Sequence, residues 1–140
     1  MIAADTKAVL TADALMFLIA LLLGVWKYRQ IATSEHHAAH PYLDIAHRAA
    51  LLYSFALLLV AVFVQLSDFS PLVNLLAAAA MALFFFASVA NYSLQARLAR
   101  TDNLFRDPPP GTSAYMIALI LAEIGGWLVL VAGFLHAQVF

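Results

Sequence analysis

Four long apolar runs, interrupted by short polar connections, set the pattern of this chain: roughly Val9 to Trp26, His47 to Leu66, Leu72 to Leu94 and Ala114 to Leu135. Each approaches the length of about 20 residues that an α-helix needs to cross about 30 Å of hydrocarbon at about 1.5 Å rise per residue. Stretches such as LLYSFALLLVAVFVQL and LLAAAAMALFFFASVA are continuously apolar and lack the out-in alternation of a membrane β-barrel. The pattern therefore predicts an all-α fold, an integral membrane four-helix bundle forming a single membrane domain over residues 1–140. The connections carry turn chemistry. SDFSP, residues 67–71, reads as a tight hairpin in which Asp68 or Ser70 caps the third helix and Pro71 occupies its first turn. DPPPGTS, residues 107–113, ends the third connection and opens the fourth helix.

Composition agrees with the pattern and narrows the class. Apolar residues make up 65% and charged residues 11%, with mean hydropathy +0.92, whereas a soluble domain has about half and about a quarter. The first span is followed by WKYRQ where a cleavage site would need small residues, and Lys7 is a weak basic leader, so retention of that span is expected. The absence of cysteine removes disulfides, thiolate nucleophiles and iron–sulfur clusters. A net charge of -1 with no basic tract gives nucleic acid no footing. Lys27, Arg29, Arg48, Arg97, Arg100 and Arg106 flank the first and third connections, and only Lys7 lies at the other end. That asymmetry places both connections on the cytoplasmic side, in a membrane of the bacterial inner-membrane type.

Polar residues inside spans require a reason. Ser88, Asn91, Tyr92 and Gln95 recur at i, i+3, i+4 and i+7 and so share one helical face. Singly, such residues supply interhelical hydrogen bonds worth about 0.6 kcal/mol. Four in one stripe point to the lining of a pocket or cofactor cavity. Glu123 sits near mid-depth of the fourth span, either hydrogen-bonded to a neighbouring helix or facing a wet cavity. Ala118, Ala122 and Gly126 form a small-residue row suited to close helix packing. Asp13 lies about a turn into the first span and is expected to reach water.

His36, His37, His40 and His47 cluster in the first connection and the start of the second span. His36 and His40, with Asp44 a turn further, have the spacing of a metal pair on a helix, but Pro41 interrupts that helix, so solvent-facing or interfacial roles are expected. His47 differs, standing at the membrane boundary before Arg48, with Ser54 two turns on along the same face. An axial haem ligand and an interfacial or capping histidine are both open for it, and an adjacent arginine suits a propionate.

The segments ALMFLIALLLGV, AHRAALLYS, SVANY and NLF resemble the styrene oxide isomerase family and its relative hydroxylaminobenzene mutase, small four-helix membrane proteins. The likeness runs from the first span through residue 105, with the His47 to Tyr92 separation preserved; the fourth span matches only as a hydrophobic helix. The resemblance implies a homotrimer holding haem b between subunits, with His47 of Ala46-His47 as axial metal ligand. It further implies ferric iron acting as a Lewis acid on an epoxide oxygen, ring opening to a benzylic cation, and a hydride shift that yields an aldehyde. Tyr92 then lines the pocket. Ser88 and Tyr53 stand where the family has asparagines, and Asn91 is placed to supply an amide.

The expectation is thus a haem-dependent membrane isomerase in a lipid bilayer, acting on a small apolar aryl or alkyl epoxide. Its cofactor is held by His47 and Arg48, with Tyr92, Ser88, Asn91 and Tyr53 around the substrate. His47 is expected to face the polar stripe, Phe84, Phe85 and Phe86 to exclude water, and Arg97 and Arg100 to be further propionate partners. The alternatives are a small electron-transfer cytochrome with two histidine ligands and a non-catalytic assembly subunit.

Overall fold

The computed structural model describes residues 2–106 and 108–139 as four α-helices: α1 (Ala4–Thr33), α2 (Pro41–Leu66), α3 (Pro71–Leu98) and α4 (Thr112–Gln138). Asp107, within the predicted DPPPGTS turn, lies outside the described residues. Each helix is longer than its apolar run. The hydrophobic pattern marks only the part that meets lipid, while helical hydrogen bonding continues beyond it. α1 extends to Ala4, so Asp13 sits more than two turns inside it and is half-buried, deeper than the sequence suggested.

Local chemistry explains the boundaries. Ser70 is the N-cap of α3, its Oγ accepting from the Val73 N–H at 3.4 Å, and Pro71 fills the first position, where a missing N–H costs nothing. Asp68 does not cap. Its carboxylate accepts instead from Nδ1 of His136, 2.6 Å away at the end of α4. α2 starts the same way: Pro41 follows the N-cap His40, whose Nδ1 accepts from the Tyr42 N–H at 3.2 Å. Gly111, with φ +89°, makes the left-handed turn into α4.

The helices alternate in direction, and sequential neighbours pack against each other. α2 and α3 touch every other helix, whereas α1 and α4 do not touch, so α2 and α3 form the short diagonal of a rhombic bundle. Its interior holds Met16 and Ala20 of α1, Leu43, Ala46, Ala50 and Leu57 of α2, and Leu130 of α4, all with no exposed surface. Lipid tails are as apolar as these side chains, so packing here relies on close contact rather than on water exclusion. Small residues provide that contact. Gly126 brings α4 so close to α3 that a Cβ would lie 2.8 Å from the Ala77 carbonyl oxygen, and Gly133, two turns on, seats Ser67 and Phe69. The row expected at Ala118, Ala122 and Gly126 is not the packing seam, since Ala118 is exposed; α4 turns its Gly126–Leu130–Gly133 face inward.

Large apolar side chains point outward on all four helices, among them Leu22, Leu52, Leu83 and Leu121 at 60–69% exposure. With four helices of 26–30 residues, each apolar enough to cross a bilayer, this surface defines a multi-pass membrane protein.

Candidate functional site

The helical stripe on α3 faces a cavity of about 540 Å³ between α2, α3 and α4, closed at one end by the connection after α3. That volume lies in the range of about 300–1,000 Å³ usual for small-molecule pockets. Ser88, Asn91, Tyr92 and Gln95 all line it, and Tyr53 joins them from α2, as the 3.6-residue period of each helix requires. α4 contributes Tyr115, whose hydroxyl lies 3.3 Å from Ser88 Oγ, and Gln95 donates to Asn91 Oδ1 at 3.4 Å. The sequence reading missed Tyr115. Its signal was an aromatic hydroxyl in the first turn of an otherwise apolar helix, one turn before Leu119, which shares the cavity wall.

The expected phenylalanine wall is corrected. Phe84, Phe85 and Phe86 are not among the lining residues. Phe85 stacks on Tyr53 at 4.2 Å and Phe84 packs tilted against Tyr115 at 5.6 Å, so both hold lining rings from behind. The apolar part of the lining comes instead from residues that include Leu104, Phe105, Pro109, Met116 and Leu119. The closing connection is tied down by Tyr42, whose hydroxyl accepts from the Leu104 N–H at 2.6 Å and whose ring stacks on Tyr92 at 6.1 Å.

His47 stands apart. It is half-buried on the side of α2 that meets α1, and neither it nor Arg48 lines the cavity, which corrects the expectation that His47 faces the stripe. Tyr53, six residues further along α2, is rotated about 120° from it around the helix axis, which separates the two within one chain. The imidazole Nδ1 is 2.9 Å from the Ala20 carbonyl oxygen. A carbonyl can only accept, so Nδ1 is the donor and, in the neutral ring, Nε2 is left as the acceptor, with no hydrogen-bond partner among the described residues. Ser54, expected on this face, is buried with its hydroxyl donating to the Leu51 carbonyl, so it is spent on its own helix.

One turn before His47, Asp44 joins α2 to α1 by accepting from Lys27 Nζ at 2.5 Å. The same carboxylate takes Arg48 Nε at 3.1 Å. Arg48 is thus partly engaged, its side chain still about two-thirds exposed. Of the loop histidines, His36 and His37 are exposed and His40 caps α2 through Nδ1; no group of three or more possible metal ligands occurs among the described residues. Arg97 is exposed, while Arg100 lines a separate polar hollow with His40, Asp102 and Arg106. Glu123 is half-buried, and its Oε1, cut off from solvent, has no hydrogen-bond partner among the described residues, so the expected interhelical bond is not made by that atom.

These residues fit a haem in one respect that geometry can test. A metal-ligating histidine ordinarily donates its second N–H to a carbonyl or carboxylate, which fixes the tautomer and frees the ligating nitrogen, and His47 is held in that way by Ala20. Fold and site together define a small helical membrane protein with a largely apolar cavity that carries a polar stripe, and a half-buried imidazole on a separate face against α1. No protein-family model, curated protein or solved structure matches the chain.

Proposed function

We propose that this protein is a haem-dependent membrane isomerase that opens an aryl or alkyl epoxide and rearranges it to a carbonyl compound. The observation that carries the reading is the convergence of Tyr53, Ser88, Asn91 and Tyr92, the positions singled out by the resemblance, on one cavity of substrate size. In this reading Nε2 of His47 would hold haem b, and Arg48, only partly engaged by Asp44, would be available to a propionate. Ferric haem supplies a Lewis acid for the epoxide oxygen, chemistry that moves no net electrons. The chain supplies the rest. The Tyr92 hydroxyl orients the substrate oxygen, Ser88 and Asn91 offer further hydrogen-bonding groups, and Tyr53, backed by Phe85, gives an aryl group a flat surface to lie against. The apolar wall keeps water from capturing the opened ring as a diol.

Because His47 and the cavity lie on different faces of one chain, a site using both draws on a second copy, which calls for a homo-oligomer; the resemblance implies a homotrimer. The connections after α1 and α3 lie on the cytoplasmic side of a bacterial-type inner membrane, following the basic residues.

The test begins with detergent-purified protein. A Soret band is expected, lost in His47→Ala and retained in His36→Ala, His37→Ala and His40→Ala. The ferric form should bind azide and convert an aryl epoxide to aldehyde, and dithionite should stop turnover until reoxidation. A colourless, folded preparation would exclude any haem role. An azide-insensitive bis-histidine spectrum, or full activity when reduced, would replace the isomerase with an electron carrier.

A further inference from the structure

We propose that Gly24 is a positioning residue for His47: the missing side chain on α1 is the seat on which the imidazole lies, and the seat sets which ring nitrogen is free. A Cβ built at Gly24 would meet His47 Cε1 at 3.0 Å, Nδ1 at 3.4 Å and Nε2 at 3.6 Å, and these are the three nearest atoms it would meet. The ring therefore lies against the α1 backbone, and a methyl group at Gly24 would press on Cε1 closely enough that the ring has to give by a few tenths of an ångström. From there Nδ1 reaches the Ala20 carbonyl, at 2.9 Å. Ala20 and Gly24 are i and i+4 on α1, so that carbonyl already accepts the Gly24 N–H of the helix ladder and takes the imidazole as a second donor.

One turn along α1, Lys27 binds Asp44 at 2.5 Å and holds α2 against α1 beside the seat. Of the two neighbours the imidazole is the movable one, a side chain facing a helix backbone, so it is the ring that shifts. A turned ring loses the Ala20 carbonyl and with it the constraint that keeps the proton on Nδ1, so Nε2 no longer presents a fixed lone pair.

The inference rests on the haem reading for the identity of the ligand, but not for the geometry. The experiment uses the full-length protein with Gly24→Ala and, as control, Gly125→Ala, where an added Cβ meets nothing within 4 Å. Haem affinity is measured by titration, and the His47 tautomer by ¹⁵N resonances of the haem-free protein. Gly24→Ala should weaken haem binding by about tenfold or more, the range typical of a lost outer-shell partner. It should also remove the protonated-Nδ1 signature, while thermal stability holds or rises, because alanine is the better helix former. Gly125→Ala should leave affinity and tautomer unchanged.

If the wild type binds haem and Gly24→Ala binds it equally, with the same spectrum, the seat is refuted and the haem reading stands. If the wild type binds no haem, the haem reading fails and the seat is judged on the tautomer alone. A wild-type His47 protonated at Nε2, or a tautomer unaffected by Gly24→Ala, then overturns it. A Gly24→Ala protein that does not fold overturns it as well, since the ring is a movable side chain and should yield before the helices do.

Discussion

Gly126→Ala is expected to destabilise the bundle and to open the cavity three turns away. The added Cβ would sit 2.8 Å from the Ala77 carbonyl oxygen and 2.8 Å from Met81 Cγ, against 3.4 Å for ordinary contact. Met81 can swing aside, but the Ala77 oxygen belongs to the α3 backbone. Relief therefore requires α4 to back away from α3 by about half an ångström, an overpacking strain of about 1–3 kcal/mol. α4 is a stiff rod, and Tyr115 lies eleven residues, or about 16 Å, along it. Its hydroxyl is already 3.3 Å from Ser88 Oγ, long for an O–H···O bond, so a shift of that size parts the pair. The assay is an SDS titration of the micellar protein followed by helicity and by fluorescence of Trp127, which packs 4.6 Å from Phe63 beside the substituted site. Gly125→Ala serves as the reference and should change stability by no more than about 1 kcal/mol, in the stabilising direction. Equal unfolding midpoints for the two variants would refute the close crossing and the coupling drawn from it.

Tyr92→Phe should retain haem and fold while lowering turnover by about tenfold, the worth of one hydrogen bond made at the reacting oxygen; an unchanged kcat would remove Tyr92 from substrate orientation. Tyr42→Phe deletes the acceptor of the Leu104 N–H, 2.6 Å away, so amide exchange at Leu104 should accelerate by about tenfold, with little effect on amides in the middle of α3. Lys27→Met leaves Asp44 only Arg48 as a partner and, because the pair is about one-third exposed, should cost roughly 0.2–1 kcal/mol and diminish in high salt. A larger, salt-independent loss would mean that the Lys27 stem, rather than its charge, joins the helices.

Hydrophobic pattern alone determined the four helices, their order and their membrane setting, because a bilayer leaves a chain so few ways to satisfy its backbone. It also determined the face shared by Ser88, Asn91, Tyr92 and Gln95, since those residues lie on one helix whose period is known. The capping by Ser70 and Pro71 was equally legible, being chemistry between near neighbours. What the sequence could not decide was how each helix is rotated about its own axis. Rotation is set by which small residues permit close approach, and glycine at 24, 126 and 133 gives no polar signal to be read. That freedom hid Tyr115, misplaced the phenylalanines of α3, and left His47 free in principle to face either the stripe or α1. Tertiary packing turned His47 toward α1, because Gly24 leaves a hollow there and Ala20 offers the carbonyl that a half-buried imidazole N–H has to find.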